Sequence, residues 1–144
     1  MTDGPPRAIA HLRLALSPDW SIGPGKARLL EAIEATGSIA AAGRRLKMSY
    51  KRAWNLVEEL NAGFREPLVT STRGGSTGGG AGLTPAGRSV LDGYRRIEAQ
   101  AEAAVAAEVA ALRALLAPKN GGPAGQSVAD EGESDGEGRG SDEV

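Results

Sequence analysis

The chain has 144 residues, room for one domain of ordinary size, with no cysteine and a single histidine, His11. That excludes disulfides, thiolate and multi-histidine metal sites and a cysteine nucleophile, and leaves little for histidine-based catalysis. The formal charge of −1 hides an asymmetry: residues 1–119 hold 16 Lys and Arg against 11 Asp and Glu, while residues 120–144 hold one Arg against seven acids. A basic body of this kind admits a polyanionic partner.

Residues 1–10, with Gly4, Pro5 and Pro6, are expected to be a flexible N-terminus. Residues 11–16 alternate polar and apolar, with Leu12, Leu14 and Leu16 on one face, which predicts a half-buried strand. Ser17-Pro18-Asp19 breaks it, and Trp20 to Pro24 reads as a turn that packs an aromatic. Gly25 to Thr36 predicts a first helix, ended by Gly37. Ser38 caps a second helix through about Leu46, with Ile39, Ala42 and Leu46 inward. After Lys47-Met48, Ser49 caps a third helix through about Asn61. Its inner face is Ala53, Trp54, Val57 and Leu60, and its outer face carries Tyr50, Lys51, Arg52, Asn55, Glu58 and Glu59. Trp20, Met48 and Trp54 are expected in the core.

Residues 68–72 are β-prone, and Ala81 to Leu83 can return antiparallel, so 68–83 predicts a hairpin with a glycine-rich tip. The tip, Gly74 to Gly80, is not a nucleotide-binding loop, which needs Lys-Ser/Thr and a helix after its last glycine. Thr84-Pro85 opens a helix that runs to about Leu116 and stops before Pro118. Its apolar seam includes Val90, Leu91, Tyr94, Ile97, Val105, Val109, Leu112, Leu115 and Leu116. Residues 119–144 are Gly, Ser, Asp and Glu with little to bury, and are expected to be a disordered acidic tail. No apolar run approaches the ~18 residues of a membrane span, and no signal-peptide core is visible, so a cytoplasmic, nucleoid-associated protein is expected.

Two short helices with a tight connection and a following hairpin have the dimensions of a winged helix-turn-helix. The fold class expected is mostly α with a small β-hairpin, in one domain over 11–118 that ends in a long dimerisation helix. Ser38-Ile39, the run Ser49-Tyr50-Lys51-Arg52-Ala53-Trp54-Asn55, and Leu83-Thr84-Pro85-Ala86-Gly87 after the wing resemble the N-terminal DNA-binding domain of the molybdate-responsive, ModE-type transcriptional regulators. The resemblance covers about residues 12–115. It implies DNA binding and homodimerisation through the helix over about 85–116. The family's molybdate-binding domains have no counterpart in this chain, so a molybdate response is not expected.

The residues expected to meet double-stranded DNA are Ser38, Arg44, Ser49, Tyr50, Lys51, Arg52, Asn55, Arg73 and Gly75. Lys and Arg reach phosphates or guanine edges, Asn can bond adenine bidentately, and serine-capped helix starts favour phosphate. Helix 49–61 would lie in the major groove and the wing over 68–83 on the backbone. No catalytic residue, metal or cofactor is proposed. Two other readings stay open: a protein-interaction module on the same fold, and a non-specific architectural DNA-binding protein.

The tail generates a prediction of its own. A flexible polyanion should compete with DNA phosphates for the basic body, and salt should screen that competition. Truncation after Lys119 is expected to raise DNA affinity at low ionic strength, chiefly for non-specific sequence. Titrating both forms against one duplex at two salt concentrations checks it; equal affinities at low salt reject it.

Overall fold

The structure, a computed structural model, describes residues 7–73 and 79–118. In chain order the elements are β1 (Leu14–Ser17), β2 (Trp20–Ile22), α1 (Pro24–Thr36), α2 (Ile39–Arg45), α3 (Tyr50–Gly63), β3 (Val69–Arg73), β4 (Gly79–Leu83) and α4 (Pro85–Ala114). This is a mainly helical winged helix-turn-helix with two antiparallel ribbons, β1–β2 and β3–β4. The chain divides into a unit of residues 1–106, which holds the core, and a second unit from Ala107 onward.

The first ribbon differs from expectation. Trp20 to Ile22 is a strand rather than a turn, because Pro18-Asp19 already reverses the chain and lets Leu14 pair with Ile22. The register shifts between Ala15 and Ser17, and this irregularity breaks the alternation: Leu12 and Leu14 pack against the core, whereas Leu16 stays exposed. Trp20 is half-buried at the margin, edge-on to Phe64 with ring centroids 4.9 Å apart. The Lys26 ammonium lies 4.7 Å from its ring centre.

α1 starts with Pro24 in the first turn and ends at Gly37, whose φ of 73° is the left-handed cap and whose N–H donates to the Ile33 carbonyl at 2.8 Å. It buries Ala27, Leu29, Leu30, Ala32 and Ile33. α2 and α3 cross over this face with Ile39, Ala42, Ala53, Leu56, Val57 and Leu60. Leu56 is buried and Trp54 only half-buried, so the inner face of α3 is turned slightly from the one expected. Met48 is likewise half-buried beside the core. Ile22, Leu29, Leu30, Ile33, Leu60 and Leu68 are the fully buried large side chains, each contributing about 1.5–3 kcal/mol of transfer free energy.

α4 buries Leu91 and Tyr94, and the Tyr94 hydroxyl donates to the Leu12 carbonyl at 2.6 Å. Burial and the neighbouring Glu98 carboxylate hold that hydroxyl above its usual pKa, so it remains a donor at neutral pH. Ion pairs Arg95–Glu31 and Arg88–Glu34 flank it and tie α4 to α1, while Arg95 also pairs with Glu98 within α4. In the second unit α4 ends at Ala114, two residues before the expected limit, and Leu112, Leu115 and Leu116 are 63%, 80% and 71% exposed.

Gly87 explains the start of α4. A Cβ there would meet the Leu68 carbonyl oxygen at 2.1 Å, and this is backbone that cannot swing aside. Gly87→Ala is expected to destabilise the domain by about 3 kcal/mol, the upper end for overpacking. Gly82→Ala, where a Cβ meets nothing within 4 Å, should stay within about 0.5 kcal/mol of the parent. Urea unfolding of both variants checks the contrast, and equal midpoints would refute it.

Candidate nucleic-acid interface

The site is built on α2, α3 and the β3–β4 wing. Ser38 has extended backbone before α2, and its Oγ accepts from the Ala41 N–H at 3.0 Å. Ser49 does the same for α3, accepting from the Arg52 N–H at 3.1 Å. Both helix starts are therefore fixed by their own sequence. The helices approach closely at Gly43, where a Cβ would lie 3.3 Å from Ala53 Cβ and 3.4 Å from the Met48 carbonyl. The small residue that matters most there is thus a glycine, with the alanines of α2 around it.

The connection is a Schellman turn. The Met48 N–H donates to the Gly43 carbonyl at 2.9 Å and the Lys47 N–H to that of Arg44 at 3.1 Å. Lys47 occupies the left-handed position with φ 61°, the one non-glycine residue with positive φ among those described. That conformation costs an L-residue roughly 1–2 kcal/mol.

On α3, Lys51, Arg52 and Asn55 are exposed and share a face, being three and four residues apart. Tyr50 is 56% exposed, with its ring edge-on to Trp54 at 6.1 Å between centroids. Arg44 and Arg45 are exposed in the last turn of α2. Residues 35–57 contain five cations, Arg44, Arg45, Lys47, Lys51 and Arg52, and no acid. None of the five belongs to an ion pair among the described residues. The cations elsewhere that do pair, Arg7, Lys26, Arg88 and Arg95, meet glutamates of α1, α3 and α4.

The wing is pinned at three points. The Asn61 amide accepts from the N–H groups of Leu68 and Val69 at 2.8 and 3.0 Å and donates to the Val69 carbonyl at 3.1 Å. The Ala81 N–H donates to the Gly37 carbonyl at 2.8 Å, joining β4 to the turn before α2. Thr84 caps α4 through the Gly87 N–H at 2.9 Å while its hydroxyl donates to the Pro67 carbonyl at 2.7 Å. β3 and β4 then pair from Val69–Leu83 to Arg73–Gly79.

The structure therefore brings Ser38, Arg44, Ser49, Tyr50, Lys51, Arg52 and Asn55 onto two consecutive helices. The backbone of Arg73 closes the described part of the wing, and Gly75 lies outside the described residues. Sequence reasoning left out Asn61 and Lys47. Asn61 is polar and half-buried on a helix whose neighbours Val57 and Leu60 are core, and such a residue needs a partner.

Residues 25–88 match the family model described as "Bacterial regulatory helix-turn-helix protein, lysR family". The chain is 43% identical over 90 residues to the molybdenum-pterin-binding protein MopA of Rhodobacter capsulatus, covering 62% of this chain and 34% of that one. It is 37% identical over 99 residues to the molybdenum transport protein ModE of Azotobacter vinelandii, covering 69% and 37%. The similarity lies over the helix-turn-helix and wing region of the chain. The chain spans about a third of the length of the curated relatives it matches. A solved chain described as the CbnR_DBD–DNA complex is 27% identical, with a TM-score of 0.48, covering 61% of this chain and 95% of that one.

Proposed function

We propose that the chain is a sequence-specific transcription regulator that binds double-stranded DNA as a homodimer, without catalysis, in the cytoplasm at the nucleoid. α3 enters the major groove, where Lys51, Arg52 and Asn55 reach base edges. Ser38, Arg44, Ser49 and Tyr50 meet the flanking phosphates, and the wing, with Arg73 and Gly75, follows the backbone. The observation that carries this reading is the acid-free run of cations over residues 35–57, unpaired among the described residues, on the two helices of a helix-turn-helix. Arg88 and Arg95, by contrast, meet carboxylates of α1. No helix among the described residues is long and apolar enough to cross a membrane.

Selection of bound genomic fragments tests the reading. An enriched two-fold symmetric sequence is expected. Broad binding would favour an architectural protein, and no binding a protein-interaction module. On the selected site, Lys51→Ala, Arg52→Ala and Asn55→Ala are each expected to weaken binding by ~1–3 kcal/mol where the residue reads a base. Wild-type affinity in all three would refute α3 as the recognition helix.

Dimerisation is assigned to α4, within a functional domain over residues 11–118. Leu112 near the end of α4, and Leu115 and Leu116 in the turn just after it, are exposed, an apolar patch that a second copy can cover. Leu112→Glu combined with Leu116→Glu is expected to halve the mass measured by sedimentation equilibrium. A wild-type monomer at tens of micromolar would refute this assignment.

A further inference from the structure

The left-handed turn residue between α2 and α3 carries a consequence beyond the reading above, on which it rests. Glycine is the ordinary occupant of the position after the C-cap in a Schellman turn, because it has no Cβ to clash with the backbone. Here the position is Lys47, at φ 61°. The conformation is imposed by the two turn hydrogen bonds, from Lys47 to Arg44 and from Met48 to Gly43, and by the close packing at Gly43. Any other residue placed at 47 must adopt it too.

Among the described residues the lysine side chain gains no polar contact that would offset this strain. It is exposed, and among the described residues it makes neither a hydrogen bond nor an ion pair. Its surroundings in the chain are unfavourable to a cation, since Arg44, Arg45, Lys51 and Arg52 flank it without an intervening acid. A lysine that is strained by its backbone, set among cations and unpartnered among the described residues is placed to find its favourable interaction in a ligand. Strained residues of this kind concentrate where a ligand is held. The chemistry that suits a compact ammonium on a flexible stem, among four more cations, is an oxyanion, and a DNA phosphodiester is the one this face would meet.

We propose that Lys47 binds a backbone phosphate of the DNA duplex, and that the turn keeps a lysine there for its charge at the expense of stability. The contact carries no base information. It sets how tightly the domain holds any duplex, while Lys51, Arg52 and Asn55 decide which duplex it prefers.

The test uses the full chain with Lys47→Gly, Lys47→Asn and Lys47→Arg. Glycine and asparagine both tolerate the left-handed conformation, so neither variant should lose the fold. Lys47→Gly is expected to raise the thermal midpoint by about 2–4 °C, relief of strain exceeding the added chain entropy. It should also weaken binding roughly threefold at low salt, by the same factor on the selected site and on unrelated duplex. The slope of log affinity against log salt should fall by about 1 for each protomer bound. Lys47→Asn should weaken binding to the same extent, and Lys47→Arg should bind like the parent. Competition by inorganic phosphate at matched ionic strength separates a duplex phosphate from a free one: no specific competition is expected. Stable glycine and asparagine variants with parental affinity and salt slope would overturn the proposal. So would a loss confined to the selected sequence, which would make Lys47 a base reader. If the parent chain binds no DNA at all, the regulator reading itself fails, an outcome distinct from either.

Discussion

The side-chain amide of Asn61 joins the end of α3 to the start of β3, and the shape of the surface formed by α2, α3 and the wing depends on that joint. Three hydrogen bonds from one side chain fix two backbone N–H groups and a carbonyl at the point where the chain leaves the helix for the wing. Without them the first wing strand would begin with unsatisfied polar groups beside the buried Leu68 and Val69, which is expensive in an apolar setting. The second attachment, Ala81 to the Gly37 carbonyl, places the other wing strand against the turn that precedes α2. The hairpin is thus held to both ends of the two-helix motif and moves with it.

Close approach is the second constraint, and glycines set it. Gly43 lets α2 and α3 meet at the turn, Gly87 lets α4 begin against the Leu68 carbonyl, and Gly63 leaves room for the Trp20 indole. At Gly63 a Cβ would fall 2.3 Å from the indole nitrogen, so the end of α3 and the first ribbon are packed to the limit.

Charge is sorted by element. Carboxylates of α1 and α4, with Glu59 of α3, neutralise the cations that face them. The acid-free stretch over residues 35–57 leaves its cations without an ion pair among the described residues. Exposed ion pairs contribute little to stability, so the sorting matters less for folding than for the field the domain presents. That concentration of charge on the two-helix motif is the feature on which the proposed DNA binding rests.

Local physical chemistry made much of this legible from sequence. Serines before helices, proline in a first turn, glycine after a last one and the 3.6-residue period of Ala53, Val57 and Leu60 act within a few residues, so the helices and the winged order followed from them. The order of elements and the outward cluster Lys51, Arg52 and Asn55 belong to the same level. What only the tertiary structure decided involves partners distant in the chain. The strand at Trp20–Ile22 exists because it pairs with Leu14–Ser17, and the irregular register that exposes Leu16 cannot be read from alternation. The work of Asn61 is done on Leu68 and Val69, the need for Gly87 comes from a carbonyl nineteen residues away, and Tyr94 finds its acceptor at Leu12. The left-handed Lys47 is a compromise between a local preference for glycine and a turn geometry imposed by helix packing. Periodicity and capping report what a segment prefers alone, whereas register, close approach and hydrogen-bond satisfaction depend on which segments the folded chain brings together.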